Sequence, residues 1–225
     1  MDWKTIDGAI EELSMLKHPF YQAWSCGELT KEDFHSYAAQ YYFLENHFPR
    51  FLSRVHSNVE KSEIRREILE NIIDEERGDD NHQELWLRFA EGLGMTREEV
   101  LDADIAPKTR EAIDMLEELC ANENYAVGLA ALYAYESQLP KVAETKIKGL
   151  KEFYDMDDKR SLEFFEVHKE MDKWHSVVER KLVEQSGATP ESVKSAAEMG
   201  AKALLTFLDG VESARRERMP EPVAA

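Results

Sequence analysis

Apolar residues recur along this chain at spacings of three and four, the pattern of helices with one buried face. From Trp3 to Lys17 they fall at Ile6, Ile10, Leu13 and Leu16. His18-Pro19 interrupts that segment, and Pro19 can open a short helix through Trp24 that Gly27 closes. Thr30-Lys-Glu-Asp33 reads as a helix start close to a capping box. The helix after it carries Phe34, Tyr37, Tyr41 and Leu44, an aromatic stripe whose default place is the core. Pro49 is expected to start a further helix with Phe51, Leu52 and Val55, and Lys61–Glu76 continues the pattern through Ile64, Ile68, Leu69 and Ile72. Gly78-Asp79-Asp80 either breaks the chain or lies in a helix that runs through the glycine.

Leu85, Leu87, Phe89 and Leu93 end at Gly94, and Thr96-Arg-Glu-Glu99 is a second capping box. A polar connection leads to Arg110–Cys120, then a turn at Asn122-Glu-Asn124. Tyr125–Leu139 is Ala-rich and apolar on most sides, which suits a central helix packed by neighbours all round. Pro140 marks a boundary or kink, and Lys141–Tyr154 follows. A long helix is expected from Lys159 to Gln185, and Gly187 and Pro190 separate it from a last helix through Val211. The polar tail Ser213–Ala225 is expected to fray. With no strand alternation, repeat or linker, residues 1–212 read as one all-α domain, a bundle of roughly seven to nine helices.

Composition narrows the function classes. The 225 residues carry a formal net charge of −18, which argues against nucleic acid and disfavours anionic membranes. The start of the chain lacks a basic segment followed by an apolar core, and no apolar run approaches a membrane span, so a cytoplasmic protein is expected. Cys26 and Cys120 stand far apart in no metal or redox spacing and read as free thiols.

The candidate chemistry lies in the imidazoles and carboxylates. His168, Asp172 and His175 project from one face of the long helix, a ready ligand set for a transition metal, although such triplets also occur on solvated faces. Glu75 and His82 return to one face if two turns of helix join them; both could equally be solvated. Glu136 sits in the apolar, Ala-rich helix, where an unpaired acid costs several kcal/mol, so it requires a partner or a cation. Together Glu75, His82, Glu136, His168, Asp172 and His175 give three carboxylates and three imidazoles on three helices. That set suits two first-row ions in a helical bundle, with positions left open for O2. Iron or manganese fits this mixture of oxygen and imidazole, and zinc would bind it too.

Four segments resemble one known family: Phe20-Tyr21-Gln-Ala-Trp24-Ser-Cys-Gly27-Glu-Leu-Thr30, Asp74-Glu75-Glu76 with Asn81-His82, Ala131 to Pro140, and His168-x3-Asp172-x2-His175. Over His18–Leu208 the chain is similar to the family of the chlamydial protein associating with death domains, within the heme-oxygenase-like dimetal oxidases. The resemblance implies a heme-oxygenase-like helical bundle of the TenA/PqqC type. It implies no haem but a dinuclear Fe/Fe or Mn/Fe centre, served by O2 and an external reductant whose identity is open. It implies synthesis of para-aminobenzoate, a folate precursor, from the protein's own side chains, and a homodimer. The family's tyrosine carbon source carries over to Tyr21. The amine donor, ten positions beyond the third-helix glutamate, carries over to Lys146. Tyr37 and Tyr135 are candidates to relay radicals.

On residues alone, Tyr21 reads as a core aromatic and Lys146 as a solvated helix lysine; the resemblance reverses both. Three other functions compete. A multi-turnover oxidase of an external small molecule would keep the ligands and not need Tyr21 or Lys146. A protein that binds death domains would depend on a surface for which no motif is visible. A thiaminase-like member of the fold would lack the full ligand set. His18, His35, His47 and His56 receive no role beyond surface or supporting positions.

Overall fold

A computed structural model of the chain describes residues 1–219. Local chemistry sets where the helices begin. Asp2 caps α1 (Trp3–Glu12) by accepting from the Thr5 amide, and a 3₁₀ turn, Met15–Lys17, follows. In α2 (Pro19–Ser25) proline fills the first position, and His18 caps the helix by accepting from the Phe20 amide. The capping box of Thr30 and Asp33 opens α3 (Lys31–Ser57).

α3 runs unbroken through Pro49, so no new helix starts there. The proline removes one backbone donor, which leaves the Glu45 carbonyl without its helical partner at a cost of about 3 kcal/mol. Phe48, Phe51 and Leu52 are all buried around it, and their packing outweighs that loss. The opposite holds at Gly78, whose φ of +94° ends the possibility of a continuous helix. α4 (Ser62–Glu76) stops before it, and α5 (His82–Gly92) restarts under the Asn81 cap.

The remaining helices are α6 (Arg97–Leu101), α7 (Pro107–Cys120), α8 (Tyr125–Glu136), α9 (Leu139–Phe153), α10 (Lys159–Glu184) and α11 (Pro190–Arg218). Eleven α-helices among the described residues exceed the expected number, because short segments such as α6 hold as separate helices under their own caps. No strand occurs among the described residues. α11 continues past Val211 to Arg218, because its basic end finds acids: Arg216 reaches Glu212 at 2.7 Å and Arg218 reaches Asp33 at 2.8 Å. Residues 220–225 of the expected fraying tail lie outside the described residues.

The central helix is α8, as its composition implies. It is buried nearly all round, with α11, α10 and α7 packed against it. Small residues make the closest crossing possible: a Cβ on Gly200 of α11 would stand 2.5 Å from the Ala131 carbonyl oxygen of α8. Gly8 of α1, by contrast, has nothing within 4 Å of the same position. Gly200→Ala should therefore lower the unfolding free energy by about 1–3 kcal/mol, whereas Gly8→Ala should raise it by about 0.5–1 kcal/mol. Urea titrations of the two variants read both signs, and equal effects would show that the helices part freely at Gly200.

Candidate metal centre and the aromatic cage beside it

Five helices deliver carboxylates and imidazoles into the middle of the bundle. Glu75 closes the last turn of α4 and His82 opens α5, so the turn at Gly78 brings them together rather than a shared helix face. Asn81 shapes that turn by donating to the Gly78 carbonyl and accepting from the Glu84 amide. Glu75 Oε2 lies 2.7 Å from His82 Nδ1. The candidate ligands thus come from four helices and not three: α4, α5, α8 and α10.

They form two adjoining groups. Glu136, Asp172 and His175 make one, all buried, with potential ligand atoms within 4.8 Å of one another. His82 and His168 make the other, with Glu45 of α3 as the third member. Glu75 stands against His82, and a small cavity lined by Glu45, Glu75, Tyr135, Glu136, His168 and Asp172 joins the groups. Glu45 escaped the sequence reading. Its signal was the continuation of the Tyr37–Tyr41 stripe by one further turn, an acid at a core position.

The hydrogen bonding leaves atoms free where a cation would need them. His168 Nδ1 lies 2.8 Å from the Phe164 carbonyl and donates to it, which turns Nε2 into the acceptor. Burial holds His168 well below the usual imidazole range, so the ring is neutral, as a metal ligand must be. His175 Nε2 is 3.2 Å from Asp74, while its Nδ1 has no hydrogen-bond partner and faces Asp172 at 3.8 Å and Glu136 at 3.9 Å. Glu45 Oε1, Glu136 Oε2 and Asp172 Oδ2 are likewise buried without partners. Asn71 supports Glu136 by donating to its other oxygen at 3.1 Å.

The charges are frustrated without a cation. Burial raises the carboxyls of Glu45, Glu136 and Asp172 above their usual range, and the neighbouring acids add to it. Burial opposes protonation of His82, but the Glu75 carboxylate outweighs it and lifts the imidazole to about 9. His175 is lifted to about 9 against the same opposition, by Asp172 first. Divalent cations would displace these protons and satisfy the orphaned oxygens in one step. The residues fit a two-ion centre.

A second constellation abuts the first. Lys146 of α9 is buried, against the expectation from residues alone, and its Nζ donates to the Tyr37 hydroxyl at 2.7 Å. The same nitrogen lies 5.1 Å from the ring centres of Tyr21, Tyr37 and Tyr41. Tyr21 and Tyr37 share a hydrogen bond of 3.0 Å between hydroxyls. Tyr41 is hydrogen-bonded to Tyr135, which lines the cavity beside Glu45 and Glu136. An aromatic file therefore runs from the candidate metal centre to Tyr21. Gly149 permits it: a Cβ there would meet Trp24 at 2.8 Å, so the bare backbone lets α9 bring Lys146 in against α2. Burial pushes the Lys146 ammonium down to about 7, against the pull of Glu45.

Comparison with known proteins agrees with this architecture. Residues 35–207 match a family described as iron-containing redox enzymes. A 4-aminobenzoate synthase of Nitrosomonas europaea is 42% identical over 218 residues, 92% of this chain and 89% of that one. A 4-aminobenzoate synthase of Chlamydia pneumoniae is 41% identical over 179 residues, 80% of each chain. A TenA homologue of Pseudomonas syringae superposes with a TM-score of 0.80 at 15% identity, covering 93% of this chain and 92% of that one, a likeness of fold. The chain belongs to the iron-containing redox enzymes of heme-oxygenase-like fold, in the family of the chlamydial protein associating with death domains. No described helix is long and apolar enough to cross a membrane.

The depressed lysine has a measurable signature. Between about 7, its value in the fold, and its ordinary 10.5, the unfolded chain holds a proton that the folded chain lacks. Stability is therefore withheld below 7 and recovered as pH rises towards 10.5. Lys146→Met should stabilise the metal-free protein by about 1–3 kcal/mol at acid pH, and the gain should shrink as pH climbs above 7. A gain that does not vary with pH would place the ammonium in contact with water.

Proposed function

We propose that this protein makes 4-aminobenzoate in an O2-dependent reaction, taking the ring from its own Tyr21 and the nitrogen from Lys146. One observation carries the reading: a buried amine lies 5.1 Å from the centre of a buried tyrosine ring, beside a cluster suited to two metal ions. The names of relatives 37–42% identical to this chain supply the product.

A tyrosine side chain already has the para-substituted skeleton of 4-aminobenzoate, with Cβ in the place of the carboxyl carbon. An amine does not add to an electron-rich phenol, so the ring must first lose electrons. Iron, paired with a second iron or with manganese in the two clusters, would supply that oxidising power from O2 with electrons from an external reductant. Glu75, His82, Glu136, His168, Asp172 and His175 would hold the ions, and Glu45 would add a carboxylate on the His82–His168 side. Tyr135 and Tyr37, joined through Tyr41, would pass an electron between that centre and Tyr21, a reading their chain of contacts supports.

The cage tunes the nucleophile. Desolvation keeps much of Lys146 uncharged at neutral pH, which leaves its lone pair available. The Tyr37 hydroxyl accepts from Lys146 and meets the Tyr21 hydroxyl, so it can carry a proton between them. The surrounding rings of Phe20 and Trp24 exclude the water that would compete with the amine. A residue consumed as substrate cannot turn over, so each chain acts once.

The test is a single-turnover assay on metal-loaded protein supplied with reductant and O2, with product and protein weighed by mass spectrometry. Less than one equivalent of 4-aminobenzoate should form, with mass lost from the peptide bearing Tyr21. Tyr21→Phe should abolish product. Product from Tyr21→Phe, or turnover beyond one equivalent, would instead mean an external substrate. Glu45→Ala should reduce bound metal from two ions per chain towards one, read by elemental analysis; unchanged stoichiometry would remove Glu45 from the ligand set.

A further inference from the structure

Between α4 and α10 a cleft leads from the surface to the outer side of the Glu136–Asp172–His175 group. Its walls carry Glu67, Glu70, Asp74, His175 and Glu179. Glu179 is the unexpected member. It is only 3% exposed, and neither of its oxygens has a hydrogen-bond partner. It sits one turn beyond His175 on the same face of α10, so Asp172, His175 and Glu179 form a continuous row from the metal group into the cleft.

A carboxyl placed for structure in a protein core is met by a donor, because leaving it unmet costs free energy. Here no lysine or arginine lines the cleft, and Lys181 at the neighbouring surface is taken up by Glu67 at 3.3 Å. Between apolar walls, exposed acids (Glu70, Asp74), the buried, orphaned Glu179 and the buried imidazole of His175 supply the cleft's oxygen and nitrogen donors. Hard divalent cations are bound by such donors, and clefts lined by one sign of charge concentrate counter-ions.

We propose that this cleft is the port through which divalent metal ions are loaded, and that Glu179 is the transient ligand that passes each ion to His175 and Asp172. The proposal rests on the reading that the two clusters hold metal. Glu179 belongs to neither cluster, so its task is kinetic: it speeds arrival without adding to the final complement. Glu70, exposed at the rim beside the Glu67–Lys181 pair, gathers cations there. Asp74, bonded to His175 Nε2, keeps the Nδ1 side of that ring turned towards the inner site.

The experiment follows Co2+ uptake by metal-free, full-length protein from its visible absorbance after rapid mixing, with bound metal counted at equilibrium. Wild type should take up two ions per chain. Glu179→Gln should slow uptake about ten-fold or more and leave the final count unchanged. Glu70→Lys, an exposed change that leaves the core intact, should also slow uptake, and added salt should narrow its gap from wild type. Glu179→Gln loading at the wild-type rate would overturn the port. A lower final count in Glu179→Gln would overturn it differently, by making Glu179 a resident ligand. Failure of wild type to bind Co2+ at all would bring down the metal-centre reading and the port with it.

Discussion

The structure depends on the burial of like charge. Glu45, Glu75, Glu136, Asp172 and Glu179 all lie in the interior, and beside the imidazoles of His82, His168 and His175 only one lysine, Lys146, and no arginine among the described residues is as deeply buried near them. An apolar bundle of this size would fold more stably with leucines at those places. The chain instead spends much of its apolar surface on holding acids and imidazoles where only cations or protons can satisfy them. The family's description as iron-containing redox enzymes fits that arrangement: on the proposed reading, the unpaired oxygens are binding capacity held in advance by the fold.

Helices suit this task because their backbone needs nothing from the side chains. α8 and α10 bond their own peptide groups, so each can project polar atoms inward without leaving an amide unmet. The imidazoles are aimed by the backbone in turn, as where His168 donates to the carbonyl one turn back. The same economy explains the lysine. α9 reaches α2 through Gly149, and the aromatic rings of α2 and α3 close round the amine. A group that would be charged in water is held near its neutral form by packing alone.

How much of this was legible in the sequence followed from how local each signal was. His168, Asp172 and His175 lie on one uninterrupted helix, so spacing alone placed them together. Glu136 stood out because its neighbours are apolar on every side. The pairing of Glu75 with His82 was anticipated for the wrong reason: the joining element is a turn under Gly78, and seven residues of helix and a tight turn can bring the same two positions together. Glu45 was invisible as a site because α3 is amphipathic and holds many charges, and Pro49 suggested that the helix ended where it continues. Glu179 was hidden likewise, one more acid on a helix with several. The burial of Lys146 is a tertiary fact; Lys141, Lys148 and Lys151 share its helix and lie outside the core.

The two constellations constrain each other. Glu45 faces His82 on one side and is felt by Lys146 on the other, where its charge raises the lysine against the effect of burial. Cations in the centre would draw on the Glu45 carboxylate and so weaken the one influence that favours the ammonium form. Metal binding and release of the Lys146 proton then favour one another, since linkage between two sites acts in both directions. On the proposed function, the amine would be most nucleophilic when the centre is loaded and least so when it is bare. Under the proposed reaction, in which the protein's own side chains are the substrate, that coupling would hold Lys146 in its less reactive form until the centre is loaded.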